Sequence, residues 1–323
     1  MRELKVAVAA GLPTSLRNVA SLVAAANGWP LVQSPAKWKD YDVIVYVSDP
    51  REDTILASRV IPKGHGIFYV VSEGPPRYEP IKHLNVHYVV TPSRFSKMMY
   101  EKAGVHVDEV VPHGIVLPEG QPPPMWGRSL FFYRAYYIPR KYPSYGLKAL
   151  EEYVKRHGSD GIDIYLVGPP FDSDLLLATK YPFMKVKNPI LPDEMDRLYK
   201  THAFYLNLSD SEGFGLTPLE AMARGEIVVT AWYPAIRDYL PEECNVVVPV
   251  KGYWWEALTY EYILHAEYDP EDYLKAMEAA LEMYRSGDKR LEEWSRCNAE
   301  VASKYDYRVI YKRFAQIAEE IRR

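Results

Sequence analysis

The sequence predicts an α/β protein of two doubly wound, Rossmann-like halves facing each other across a cleft. Three observations carry this. The chain has 323 residues, more than one hydrophobic core usually serves, so two domains are expected. Strand-like and helix-like patterns alternate in two separate blocks, which implies parallel sheets covered on both faces. Between the blocks, residues 118–125 hold four prolines and one glycine, a stiff linker.

The elements follow in order. In the first block, apolar runs at 4–10, 43–47, 66–71 and 86–90 read as strands bounded by Asp, Gly or Pro. Residues 18–26 read as a helix ended by Asn27-Gly28, and residues 94–103 as a helix opened by Thr91-Pro92-Ser93. In the second block, strands at 130–133, 162–167, 203–208 and 227–230 alternate with helices at 147–156, 192–200 and 218–224. The tail is helical from Pro270. There Ile310, Phe314, Ile317 and Ile321 recur at helical spacing and form one apolar face.

Composition narrows the partners. The chain is 48% apolar and 25% charged, ordinary for a soluble globular protein. Its net charge is −4, with 13 Lys+Arg against 12 Asp+Glu in residues 1–122, so no nucleic-acid partner of the basic type is expected. No run of 18 apolar residues spans a membrane, and the first ten residues lack the apolar core of a signal peptide. Cys244 and Cys297 form no spaced framework, so both are expected as free thiols in a reducing, cytoplasmic compartment. The 27 tyrosines and 26 prolines fit a heat-adapted host.

The chemistry concentrates in 209–225, Ser-Asp-Ser-Glu-Gly-Phe-Gly-Leu-Thr-Pro-Leu-Glu-Ala-Met-Ala-Arg-Gly. This stretch follows a strand and opens a helix. Gly213 and Gly215 permit a tight turn and close approach to a ligand. Thr217 and Pro218 fit the Ncap and N1 positions. Free N–H groups at Gly215, Leu216 and Thr217 would suit a diphosphate. On spacing alone, Glu220 reads as the far partner of a Thr217-x-x-Glu220 capping box, and Glu212 as a solvated loop acid. A second constellation, 133–146, holds Arg134, Arg140 and Lys141 just after a strand. Cations there would suit an anionic ligand; the plainer reading is a solvated basic loop.

The first stretch resembles the E-x7-E signature of the retaining family 4 glycosyltransferases, which have the GT-B fold. The resemblance rests on Glu212 through Glu220, on Ala221-Met222-Ala223 and Gly225, and on the strand 227–230. Leu191-Pro-Asp-Glu194 and the strand 203–207 extend it upstream, so that it covers 130–235. Residues 90–97 and 111–115 are thinner matches in the first half. The resemblance implies a sugar moved from a UDP- or GDP-linked donor, with no metal or other cofactor. The acceptor it implies is a sugar, a lipid-linked molecule or a protein, and peripheral attachment at the inner membrane face is compatible with it.

Residue by residue, the resemblance places Glu212 near the transferred sugar and Glu220 against the ribose. Arg134 matches the family's arginine on the diphosphate and Lys141 its lysine, with Arg140 the competitor; Tyr133 stands where the family has glycine. The turn at Gly11 would lie near the donor phosphate and the backbone about Ile190 near the base. Ser72 or Glu73 occupies the region where many members have a histidine; Glu73 reads equally as an acceptor-orienting carboxylate or a strand-end polar residue. His113 reads as structural. Asp172 and Asp174 read as a helix cap rather than a metal pair. The expected domains are 1–122 on the acceptor side and 128–306 for the donor, with helix 307–323 packing back on the first. The alternative for that helix is the second domain's own sheet. Alanine at Glu212 or Arg134 is expected to cost activity at a nearly unchanged melting transition. Rival functions are a related GT-B epimerase or phosphorylase, or a non-catalytic sugar-nucleotide-binding protein.

Overall fold

A computed structural model describes residues 4–11, 14–136, 139–167, 180–181, 183–187 and 190–322. The first half is a five-stranded parallel sheet of β1 (Val6–Ala10), β2 (Val43–Ser48), β3 (Gly66–Val70), β4 (Tyr88–Thr91) and β5 (Glu109–Val110), in that order. Helices α1 (Thr14–Asn27), α2 (Glu52–Val60) and α3 (Arg94–Lys102) connect its strands. Strands β2 and β3 are buried at every position, which is why their sequences are continuous apolar runs. The run at 86–90 starts its strand late because Glu79–Val86 winds as a 3₁₀ helix first. Ser93 caps α3 by accepting from the Ser96 N–H.

The second half is a six-stranded parallel sheet in the order β11-β10-β9-β6-β7-β8. Its strands are β6 (Ser129–Tyr136), β7 (Ile162–Val167), β8 (Met184–Val186), β9 (His202–Asn207), β10 (Ile227–Ala231) and β11 (Val246–Val248). Helices α4 (Ser144–His157), α5 (Pro192–Lys200) and α6 (Leu216–Met222) lie between them. An antiparallel hairpin, β12 (Val250–Ala257) with β13 (Tyr262–Tyr268), follows and is absent from the sequence expectation. The tail is α7 (Pro270–Ser286), α8 (Arg290–Ser303), α9 (Tyr307–Ile310) and α10 (Arg313–Glu320). Among the described residues no helix is long and apolar enough to cross a membrane.

The last two helices pack into the first half. Phe314 and Ile317 are fully buried in one core with Val8, Tyr69 and Val111, and the Phe314 and Tyr69 rings lie 5.0 Å apart, edge to face. Arg313 adds an ion pair to Glu109 at 2.8 Å. The tail is not one continuous helix: it breaks after Ile310, and Tyr311 at the break is itself buried, its hydroxyl accepting from the Gly114 N–H. Each fully buried Phe or Ile contributes about 1.5–3 kcal/mol, so this contact ties the chain's end firmly to the first half.

The expectation of two free thiols is overturned. Cys244 and Cys297 form a disulfide, with Cα atoms 6.4 Å apart. Sequence spacing carried no hint of it, because the bond joins the turn before β11 to helix α8 across the fold. With it goes the basis for inferring a reducing compartment from the cysteines. Beside the bond, Asn245 and Asn298 hydrogen-bond each other, and Asn245 accepts from the Val228 N–H, fixing the start of β10. The closed loop spans 53 residues. Replacing both cysteines by serine is therefore expected to lower the unfolding free energy by about 4 kcal/mol on loop-entropy grounds, read from guanidinium melts with and without reductant. Overlapping melts would show that the bond contributes nothing.

Candidate active site

Strand β9 is buried along its length and delivers the chain to residues 208–215 at the sheet's C-terminal edge. Gly215 is left-handed, with φ of 93°, a conformation glycine adopts without strain. The chain is thereby turned into α6 at once, so Thr217 and Pro218 lie inside the first turn rather than at Ncap and N1. Gly213 serves a different approach from the one expected. A Cβ there would stand 2.3 Å from Val71 Cγ2 and 3.0 Å from the Ser72 oxygen, so the glycine lets the second half's loop meet the first half. Its carbonyl accepts from Ser93 Oγ at 2.6 Å.

At this junction four charged side chains converge. Lys141 Nζ pairs with Glu212 Oε1, Arg140 Nη2 pairs with Glu73 Oε1, and Arg140 Nη1 lies 3.8 Å from Glu212 Oε2. All four are largely buried, so the pairs compensate one another's desolvation. Burial pushes the Glu212 carboxyl up, but Lys141 and Arg140 outweigh it and hold it below its usual value. Burial pushes Lys141 down, with Arg140 adding repulsion and Glu212 opposing. Burial raises Glu73 to about 7, Arg140 opposing and Glu212 adding. Tyr133, at the family's glycine position, donates its hydroxyl to the Lys141 carbonyl and sits 3.2 Å from Ser209 Oγ. The aromatic replacement thus anchors the basic turn.

The second acid is placed by other contacts. Glu220 Oε2 lies 3.3 Å from Arg134 Nη1 and accepts from Tyr199 Oη at 3.0 Å. It faces the end of β6 rather than the helix start, so the capping-box alternative is not the arrangement observed. The Arg134–Glu220 pair is about one-third exposed, open to a ligand.

The remaining candidates fall as follows. Gly11 ends β1, and a Cβ there would stand 2.6 Å from Asp53 Oδ2. Ser72 is buried after β3 beside Glu73. Ile190 packs partly buried against the second half's core. Asp172 and Asp174 lie outside the described residues. His113 is buried between the halves, its ring edge-on to Tyr69 and Phe214, with Nδ1 2.7 Å from the Tyr69 hydroxyl. Burial lowers its pKa to about 3. It folds neutral, and its contribution is complete above the ordinary histidine value of about 6.5 and lost as pH falls toward 3. The unfolding free energy is expected to fall across that window in wild type and less steeply in His113→Gln. Equal slopes would count against it.

Sequence reasoning missed the hairpin's part in the site. His265 Nδ1 lies 2.9 Å from Asp210 Oδ1 and its Nε2 3.1 Å from Glu256 Oε2, with Trp254 stacked on the ring. Asp210 also accepts from the Tyr145 hydroxyl, and its N–H donates to the Arg140 carbonyl at 3.1 Å. Glu261 reaches Ser72 and Glu73 from the hairpin's turn. The aromatic run Tyr253-Trp254-Trp255, followed within a few residues by Tyr260 and Tyr262 about a four-residue turn, was the available signal.

Residues 127–282 match the family model for group 1 glycosyl transferases. Comparison with curated proteins finds no match. Among solved structures, the chain is similar to Anabaena HepE in complex with UDP and glucose, with TM-score 0.73, 12% identity, and 98% of this chain and 100% of that chain covered. It is similar to sucrose-phosphate synthase from Thermosynechococcus elongatus, with TM-score 0.69, 14% identity, and 98% and 99% covered. It is also similar to the pneumococcal O-GlcNAc transferase GtfA in complex with UDP and GlcNAc, with TM-score 0.59 and 14% identity. In that case 89% of this chain is covered, and the chain spans 59% of GtfA's length. At such identities the likeness is one of fold. The chain has the GT-B fold, and its second half is similar to group 1 glycosyl transferases.

Proposed function

We propose that the chain is a retaining glycosyltransferase of the family 4 type, moving a hexosyl group from a UDP- or GDP-linked donor to a sugar, lipid-linked or protein acceptor. The observation that carries the reading is the convergence of Arg140 and Lys141 on Glu212 beside Glu73, where the two sheets' C-terminal edges meet. A nucleoside diphosphate leaves with negative charge growing on its bridging oxygen. Fixed cations stabilise that charge without reorganising, and no metal is needed for it. Lys141 and Arg134 hold the diphosphate, Glu220 accepts from the ribose hydroxyls, and Glu212 holds the sugar. Without donor, Glu212 and Glu220 pair with the same cations and hold them in place. Residues 1–122, with 307–323 returning onto them, make the acceptor-side domain and 128–306 the donor domain. HepE and GtfA hold UDP on this fold, which supports a UDP-linked donor. The test is release of nucleoside diphosphate from a panel of UDP-, GDP- and ADP-sugars, with and without EDTA. Failure of every donor to bind would sink the proposal, and loss of turnover on chelation would sink its metal-free form.

A further inference from the structure

We propose that Glu261, in the turn of the β12–β13 hairpin, is a positioning residue: from the second half it holds Ser72 and Glu73 so that Glu73 meets Arg140. This role rests on the glycosyltransferase reading above. Alternate residues of a strand send their N–H groups to the same edge. Along β13, the N–H groups of Tyr262, Leu264 and Ala266 donate to the carbonyls of Pro75, Glu73 and Asp210 at 3.0, 3.0 and 2.8 Å. One strand edge therefore holds the loop that carries Glu73 in the first half and the loop that carries Glu212 in the second. The fit is close: a Cβ on Gly74 would stand 1.9 Å from the Tyr262 oxygen. Asp210 in turn fixes the Arg140 carbonyl, so the backbones of both partners in the Glu73–Arg140 pair are referred to β13.

Glu261 completes this register with its side chain. Its Oε2 accepts from Ser72 Oγ at 2.7 Å and from the Glu73 N–H at 3.2 Å. These bonds hold the short segment between β3 and the strand edge, the one that aims the Glu73 carboxyl. The charged groups facing Glu73 are Arg140, Lys141, Glu212 and Asp49, with Glu261 beside it. Burial and Glu73 raise Glu261 to about 8, so it accepts these bonds as a largely protonated carboxyl at neutral pH. An amide oxygen can therefore stand in for it.

The test compares Glu261→Ala with Glu261→Gln in the full chain, with UDP-glucose as donor and water as acceptor. Glu261→Ala should lower the turnover of UDP release about tenfold and leave the donor KM within about twofold, because the donor-binding side chains are untouched. Hydrogen exchange across 72–77 should rise about tenfold in the same variant. Glu261→Gln should restore both. If Glu261→Ala fails to fold, Ser72→Ala removes the Ser72–Glu261 bond from the other side, together with the hydroxyl's bond to the Gly74 carbonyl, and should lower turnover about threefold. Wild-type turnover in the alanine variants, or a Gln variant as impaired as the Ala variant, overturns the positioning role alone. A wild-type chain that binds no donor of the panel overturns the glycosyltransferase reading and this role with it.

Discussion

Replacing Glu212 by Gln is expected to lower turnover about 10²–10³-fold, the loss that follows removal of one preorganised electrostatic group. It is also expected to destabilise the fold, and here the geometry revises the expectation drawn from sequence. A loop acid near the sugar should be removable at unchanged stability. Glu212 is instead 8% exposed at its side chain and paired with Lys141, with Arg140 3.8 Å away. Removing its charge leaves the buried Lys141 without its close partner, while Arg140 keeps Glu73, and breaking such a buried pair typically costs about 3–5 kcal/mol. Activity loss alone therefore cannot separate catalysis from folding. The double variant Glu212→Gln/Lys141→Met, read against Lys141→Met alone because Lys141 itself holds the diphosphate, separates them. Removing the second charge relieves the imbalance, so denaturant melts should recover part of the lost stability while turnover stays low. The positive coupling between the two sites would appear in a double-mutant cycle. Turnover restored along with stability would mean that Glu212 serves the fold only.

Much of this was legible in the sequence, for local reasons. Strands β2 and β3 announce themselves because both faces are covered and every residue is apolar or small. Glu212, Arg140 and Lys141 sit in two short segments whose composition already marks them as unusual. What was illegible depends on contacts distant in the chain. Helix α2 hides because its buried face includes Thr54 and Ser58, so no apolar period shows. The hairpin hides because Tyr253, Trp254 and Trp255 are all exposed, which blurs the alternation of a half-buried strand. Glu261 bonds the Glu73 N–H, 188 residues away, and nothing in its neighbours signals that. Thr217-x-x-Glu220 shows the reverse case. The local pattern satisfied a capping box, but Arg134 and Tyr199, brought in by β6 and α5, hold the glutamate.

Donor binding is expected to weaken steeply as pH rises from about 6 to about 9. The sign follows from which groups titrate. Glu212 is held ionised by Lys141 and Arg140. Glu73 rises to about 7 and Glu261 to about 8, so both are neutral at the acid end of the window and anionic at the alkaline end. With Arg140 and Lys141 positive, the cluster changes from a net charge of about +1 to about −1. Any loss of the Lys141 proton, whose pKa is lowered by burial, acts in the same direction. The same carboxyls make the fold less stable as pH rises from the ordinary glutamate range toward 8, because the native state holds protons that the unfolded chain has released. UDP-glucose is the suitable ligand, since its diphosphate carries the same two charges throughout and contributes no titration of its own. Two like charges gained beside a diphosphate oppose it, and since about 1% of Glu73 and about 10% of Glu261 stay neutral at pH 9, proton linkage limits the rise in Kd to about 10–10³-fold across the window. Calorimetry at constant ionic strength would measure it. In Glu73→Gln the step near 7 should vanish, and the Glu261 step should move to lower pH because its like-charged neighbour is gone. A wild-type Kd that stays flat, or a Glu73→Gln curve that overlays it, would exclude these carboxyls from the donor's surroundings.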